Sequence, residues 1–526
     1  MALRLATLRR DERGCEHFWQ KALDLTLLKR NIIAGYVGQI YVTVTGIVLV
    51  PTYVKYMGAE AYGLIGFYAM LQAWFMLLDM GLTPTMAREA ARFRGRAVNA
   101  PSLRRLLRAL EKVFVGIGIL GAGAMMAGSG FIARSWLKVE RLPLNEVQHA
   151  LVLVGIIIAL RWVSDLYRGV ISGFEKLVWL HAFNMAIATL RFGLVILVFR
   201  YVGTSPTQFF EYQLVLAVGE VTVLVVKAYS LIPATVDSQG AFWDWRPLRG
   251  VLHFSLAIAF TSSVWVLAMQ TDKLILSKLL PLSDFAYFTL AVLVASGVLV
   301  ISVPISGALM PRMVALNAGG DEVGLIRVYR DATQLMAVII IPATLVLGLF
   351  PEQVLWAWTG DREIARRAAP VLTLYAFGNG VMALSAFAYY LQFAKGSLKL
   401  HLAGSALFVV VLIPSIVLAT RRYGVVGAGY AWLGVNAAYF LLWVPKVHRR
   451  FVRGLHGVWL FHDLAGIALA TGLCAALARP WIEWPVHRAP TALLTVVFAL
   501  GLLMIAGAAS SWVRGMLISR WRSGFC

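Results

Sequence analysis

The chain is 526 residues long, 60% hydrophobic and only 14% charged, yet it carries a net charge of +22. An average soluble domain has about 25% charged residues, and a mean hydropathy of +0.75 excludes an ordinary soluble enzyme, a disordered chain, collagen and a coiled coil. Three cysteines (Cys15, Cys474, Cys526) are too few and too scattered for a disulfide framework or a thiolate metal site.

A bilayer core takes roughly 20 apolar residues per helix. Windows of that length predict about fourteen spans, at 31–54, 62–83, 110–133, 149–170, 179–202, 209–233, 253–277, 285–311, 332–350, 368–392, 400–420, 425–446, 462–480 and 490–512. The predicted fold class is an all-α integral membrane protein, with two pseudo-symmetric six-helix bundles followed by two C-terminal helices. In chain order the domains are a basic cytoplasmic segment at 1–30, an N-lobe at 31–233 and a cytoplasmic inter-lobe linker at 234–252. A C-lobe at 253–446, two further spans within 447–512 and a basic cytoplasmic tail at 513–526 complete the chain. The first span is full length and has no small-residue cleavage site behind it, so it reads as a signal anchor.

Lys and Arg crowd the loops on one side. Arg9, Arg10, Arg88, Arg92, Arg104, Arg108, Arg246, Arg249, Arg312, Arg327, Lys395, Arg449, Arg450, Arg514, Arg520 and Arg522 all fall there. The positive-inside rule makes that side cytoplasmic, with both termini in it. Most of the +22 therefore sets orientation and attracts anionic lipid. Dispersal over many short loops argues against nucleic-acid binding. A weak internal repeat supports two parallel halves. Pro84 and the helix start Leu103–Arg108 follow the second span as Pro311, Arg312 and Leu325–Arg330 follow the eighth.

The sequence contains no DxD, P-loop, HExxH, GxSxG or CxxC element. No catalytic residue, metal site or organic cofactor is expected, and the protein is read as not an enzyme. The longest predicted outside loops, near 134–148 and 351–367, are too short for the extramembrane part of a glycosyltransferase or polymerase.

Ionisable side chains at membrane depth are costly, so each is a functional candidate. Arg161 and Arg191 lie near the middle of their spans, and Arg161, Asp165 and Arg168 share one helix face by their i, i+4, i+7 spacing. One reading is a cationic lining for a diphosphate or acidic sugar, since guanidinium forks match those anions. The other is an intrahelical Arg161–Asp165 pair. Glu220 is either a proton carrier or a partner of Arg191 or Lys227. Asp272, beside Lys273 at the outer end of the seventh span, is either an ion-coupling site or, as its shallow depth favours, an interfacial anchor. Gln39 and Thr43 lie on one face of the first span, where such groups bind sugar hydroxyls or glue helices together. Glu111 and Lys112 are explained by snorkelling. His448, His456 and His462 have no metal-ligand spacing and read as solvated or interfacial.

The stretch from Asn31 to Glu89 reads N-I-I-A-G-Y-V-G-Q-I, then V-P-T-Y-V-K-Y-M-G-A-E-A-Y-G-L, then L-L-D-M-G-L-T-P-T-M-A-R-E-A. It resembles the opening of the polysaccharide and lipid-linked oligosaccharide flippases of the MOP superfamily. There the first span starts with Asn (Asn31), ends in Pro (Pro51) and runs into a Y-x-G-x-x-x-Y-G-L turn (Gly58, Tyr62, Gly63). An L-D-x-G-L element (Asp79, Gly81) closes the second span, and Asp79 is expected to be structural, orienting the helix end and pairing with a nearby arginine. Thr271–Ser277 with Phe285–Ala291, and Arg168–Lys176, resemble later junctions of the same family.

The resemblance implies a MATE-like fold with a central cavity in the cytoplasmic (inner) membrane. It also implies alternating-access translocation of an undecaprenyl-pyrophosphate-linked oligosaccharide. Expected partners are that polyprenyl-pyrophosphate-linked oligosaccharide and membrane lipids, with a polysaccharide polymerase and glycosyltransferases before and after it; a monomer is expected. Glu220, Asp165 and Asp272 motivate coupling to H+ or Na+ antiport. Alternatives are a lipid II-type flippase and a MATE-type drug or cation exporter; the mid-span arginines and the extra terminal pair speak against the exporter.

Overall fold

Apolar windows of about 20 residues without helix breakers have one stable form in lipid, because a helix satisfies its own backbone donors and acceptors. The computed structural model describes residues 30–31, 33–233, 263 and 266–516. The predicted linker 234–252, the N-terminal segment before residue 30, Thr261, Ser262 and the end of the basic tail lie outside the described residues. Thirteen described helices are long and apolar enough to cross a membrane. In chain order the helices are α1 (Ile33–Met57), α2 (Ala59–Asp79), α3 (Leu82–Arg94), α4 (Ala100–Trp136), α5 (Leu144–Gly173), α6 (Leu177–Tyr201) and α7 (Pro206–Leu231). Then come α8 (266–279), α9 (Leu282–Ala318), α10 (Glu322–Leu349), α11 (Pro351–Thr359) and α12 (Arg362–Ala394). The last are α13 (Lys399–Tyr423), α14 (Val425–Phe451), α15 (Leu455–Trp481) and α16 (Arg488–Ala509).

Helix α8 is the described part of the predicted seventh span. Two short helices, α3 and α11, occupy stretches that hydropathy alone leaves as loops. Among the described residues there is no strand, only an isolated bridge between Lys138 and Pro281. Some helix starts are set by side chains. Ser205 and Gln208 form a capping box on α7, with Pro206 in its first turn. Asp361 accepts the amides of Glu363 and Ile364 at the start of α12 (2.8 and 3.1 Å).

The chain divides into two compact units that do not follow chain order. The first is Met1–Leu49, Leu78–Ala127 and Val152–Ala259; the second is Val50–Leu77, Gly128–Leu151 and Phe260–Cys526. In the first unit, Leu110 and Phe114 of α4, Ile157 and Leu166 of α5 and Phe210 and Leu224 of α7 are fully buried. The rings of Phe114 and Trp162 stack with centroids 4.3 Å apart. Lipid tails are as apolar as these residues, so close packing and buried hydrogen bonds hold such helices together.

In the second unit α2 packs on α9. A Cβ at Gly63 would stand 2.4 Å from the carbonyl oxygen of Leu282, so glycine is required there. The other motif glycines serve turns: Gly58 (φ +84°) starts α2 and Gly81 (φ +71°) starts α3, a region L side chains avoid. Tyr62 is buried in the same turn. Asp79 does not pair with an arginine. It accepts hydrogen bonds from the amide and hydroxyl of Thr83 (3.1 and 2.6 Å), so it caps α3, an element that hydropathy missed. Arg30 and Asn31 are both helical, and Pro51 sits inside α1.

Residues 136–142 form a strap across the second unit. Trp136 Nε1 donates to Ser277 Oγ (3.1 Å) and Lys138 Nζ to the carbonyl of Leu279 (2.8 Å). The buried Glu60 carboxylate accepts three successive backbone amides, of Glu140, Arg141 and Leu142.

A polar ladder on α10 holds the last helices. Arg330 donates to both oxygens of the fully buried Asp463 (2.7 and 2.9 Å), and Gln334 donates to the same carboxylate. The Gln334 oxygen accepts from Ser510, Ser511 and the amide of Trp512. His448 is not solvated: it is fully buried, bonded to the Tyr329 hydroxyl (2.7 Å) and to His456 (3.1 Å). Tertiary partners more than a hundred residues away overrode its polar sequence setting.

Candidate functional site: a cationic cavity in the first unit

Three helices bring the charged candidates together. Helix α5 carries Arg161, Asp165 and Arg168 on the face their spacing predicted. Helix α7 carries Gln213 and Glu220. Helix α6 contains a π-helical turn at Thr189–Leu194 that holds Arg191; such wide turns shift a side chain out of ordinary helical register and recur at functional sites.

Glu220 is the hub, with its side chain 3% exposed. One oxygen accepts from Arg168 Nη2, and the other from Arg191 Nη2 (2.8 Å). Arg168 also donates through Nη1 to Asn184 Oδ1, and its Nε lies 3.6 Å from the half-exposed Asp165. The expected Arg161–Asp165 pair is not formed. The buried Arg161 instead donates from Nη2 to Gln213 Oε1 (2.9 Å), and Gln213 Nε2 bonds the carbonyl of Arg191 (3.3 Å). Asp165 points toward Arg168 and solvent. Glu220 does not pair with Lys227, whose ammonium sits 5.3 Å from the centre of the Trp179 ring. Three guanidiniums thus meet two carboxylates, leaving one positive charge in excess.

Arg168 and Arg191 line a cavity of about 220 Å³ together with Gln39, His181 and Asn184. A water molecule's share of liquid volume is about 30 Å³, so the cavity accommodates a polar headgroup. Thr43 does not line it; it accepts a hydrogen bond from Gln39 (3.3 Å). Arg161 and Asp165 are also absent from the lining and act from behind it. His181, Asn184 and Gln213 were missed by sequence reasoning. A signal existed for two of them, since 181, 184, 188 and 191 fall on one face of the fifth span.

Asp272 belongs to the second unit, as do the residues that hold it. Its carboxylate is enclosed by protein: it is 2% exposed and accepts from the Tyr375 hydroxyl (2.8 Å) and the Lys273 amide (2.7 Å). The tyrosine that covers it is 103 residues away in sequence. Glu111, read as a snorkelling residue, is held by two tyrosine hydroxyls.

The model of the family described as "Polysaccharide biosynthesis protein" matches residues 28–317, over half the chain. The chain belongs to this family. A protein of Shigella flexneri described as an O-antigen transporter is 20% identical over 376 residues, covering 72% of this chain and 87% of its own length. Among solved structures, the lipid II flippase MurJ in an inward closed conformation superimposes with a TM-score of 0.70 at 11% identity, covering 93% of this chain and 99% of its own. An inward-facing multidrug resistance MATE family transporter of the MOP superfamily gives 0.61 at 15% identity, over 78% and 96% of the two chains. The chain therefore has the all-helical fold of the MOP transporters and is a multi-pass membrane protein. These named relatives are transporters, none of them an enzyme.

Proposed function

We propose that the protein is a flippase that carries a polyprenyl-diphosphate-linked oligosaccharide, of the undecaprenyl-pyrophosphate type, across the cytoplasmic membrane for polysaccharide assembly. The observation that carries this reading is the pair Arg168 and Arg191, two guanidiniums sharing the Glu220 carboxylate and presented to one cavity at membrane depth, where ionisable side chains are costly and mark substrate paths. Guanidinium forks match diphosphate oxygens. Asn184, Gln39 and His181 offer hydrogen bonds to the headgroup while the polyprenyl tail stays in lipid. Glu220 orients both arginines from behind. Alternating access moves the head, glycosyltransferases supply the substrate and a polymerase consumes it. An excess of positive charge suits an anionic cargo better than the cationic drugs of an exporter.

Net export needs an energy source, and we assign it to H+ or Na+ antiport. Transport that is unchanged when both ion gradients are collapsed overturns that part. The main test is flipping of a fluorescent polyprenyl-diphosphate glycan in vesicles holding the purified protein. Arg191→Ala is expected to lower the initial rate by at least about tenfold, the effect of losing one charge-assisted hydrogen bond, and Arg191→Lys to recover part of it. Full activity in Arg191→Ala removes this residue from the site. Lipid II offered in the same vesicles separates a peptidoglycan-precursor flippase from a carrier of other glycans.

A further inference from the structure

Glu111 is a membrane-depth acid that the transport reading leaves unused. It lies in α4 at the end of the first unit where Arg104 and Arg108 cluster. Its Oε1 accepts hydrogen bonds from Tyr167 Oη of α5 and Tyr229 Oη of α7, both 2.9 Å, and its Oε2 also lies 2.9 Å from Tyr229 Oη. Among the described residues, the titratable groups facing it from α5 and α7 are these two tyrosines. From its own helix, Arg108 acts on it electrostatically and also hydrogen-bonds to the Tyr229 hydroxyl, and the Arg104 guanidinium sits 5.8 Å from the centre of the Tyr229 ring.

The nature of those partners sets Glu111 apart. A guanidinium, an ammonium or an amide N–H only donates, whereas a hydroxyl donates or accepts. Glu220 is held by two guanidiniums, and Asp463 by a guanidinium and a side-chain amide. Asp272 is held by a tyrosine but also by a backbone N–H, and so is Asp79 by a threonine and its amide. A proton added to Glu220 or Asp463 leaves a buried donor facing a donor, which is costly; Asp272 and Asp79 each keep an N–H donor among their partners, whereas the hydrogen-bond partners of Glu111 are hydroxyls. A proton added to Glu111 is accepted by the Tyr167 hydroxyl when that hydroxyl rotates, while Tyr229, to which Arg108 also bonds, goes on donating to the other oxygen.

We propose that Glu111 is a proton-binding site linked to the cationic cavity through α5 and α7. Tyr167 immediately precedes Arg168 on α5. Tyr229 is on α7, which carries Gln213 and Glu220. Bonds to a carboxylate are shorter and stronger than bonds to a neutral acid. Ionised Glu111 therefore clamps both site-bearing helices to α4, and protonated Glu111 holds them less tightly. Linkage makes the effect reciprocal: a proton on Glu111 and an anion in the cavity change each other's affinity by one common factor. The second half of this proposal rests on the cavity being the anion site; the first half does not.

The test uses the full-length protein in lipid nanodiscs. Infrared difference spectra across a pH step read carboxyl protonation directly, without substrate. Glu111→Gln, which still accepts from both tyrosines, is expected to remove one carboxyl C=O band. The double variant Tyr167→Phe with Tyr229→Phe keeps the carboxyl, and its band is expected to move to higher frequency. Identical bands in wild type and Glu111→Gln overturn the site. Linkage is read with P1,P2-dimethyl diphosphate, which remains a dianion over the range used. In a His181→Gln background, which removes the imidazole that lines the cavity, its affinity is expected to change about tenfold between about pH 5.5 and 8 and to be flat once Glu111→Gln is added. A pH dependence that survives Glu111→Gln overturns the linkage. Absence of any diphosphate binding overturns the anion-cavity reading instead, and the infrared band still decides Glu111.

Discussion

A single carboxylate set between two guanidiniums makes Glu220 the most consequential residue of the first unit. Removing one member of a buried ion pair leaves the other charge uncompensated, at a cost of about 3–5 kcal/mol. Glu220→Ala is therefore expected to lower folding stability by about that much, read as a fall in the midpoint of thermal unfolding in detergent. Asp165 stands 3.6 Å from Arg168 with its side chain 42% exposed, and exposed pairs contribute about 0–1 kcal/mol. Asp165→Ala is expected to leave the midpoint nearly unchanged. Equal effects from the two substitutions would contradict the geometry of the cluster. The sequence points to both residues equally, as acids at membrane depth. What separates them is which oxygen faces which guanidinium, and that depends on how α5, α6 and α7 meet.

At the scale of elements, the spans were legible because lipid imposes one length and one hydrogen-bonding solution, so hydropathy windows find them. The elements that escaped are those whose cause is not apolar content. Helix α3 is short and polar on one side, and its start depends on the Asp79–Thr83 cap. The π-helical turn around Arg191 follows from packing rather than from composition. The α10 ladder joins Arg330 to Asp463 and Tyr329 to His448 across more than a hundred residues, and no local spacing reveals such pairs. That ladder gives an element-scale prediction. Asp463→Ala strands Arg330 and frees the Gln334 amide, so α15 and α16 are expected to loosen from α10. Limited proteolysis near residues 452–455 should then cut faster than in wild type, and an unchanged rate would mean that apolar packing alone holds the pair. Gly63→Val is expected to separate α2 from α9 and to reduce the yield of folded protein, because the added carbons meet the Leu282 carbonyl at less than contact distance.

For the whole molecule, alternating access requires contacts at each end to form and break in turn. The strap at 136–142 is the part of the second unit where that requirement is testable. Lys138 and Pro281 form an isolated bridge, a spacing that suits a disulfide. Lys138→Cys with Pro281→Cys, in a background where Cys15, Cys474 and Cys526 are serine, is expected to lose transport on oxidation and regain it with a reductant. Undiminished transport in the oxidised form would show that the strap stays shut throughout the cycle. The strap, the Glu60 cap and the Gly63 contact also bear on how the protein is made. Roughly 220 residues of chain separate Gly63 from Leu282, and ribosomes add about 5–20 residues per second. During synthesis α2 therefore waits roughly 10–45 s for the surface that completes it, and over that interval its packing face must be sheltered by lipid or by the insertion machinery.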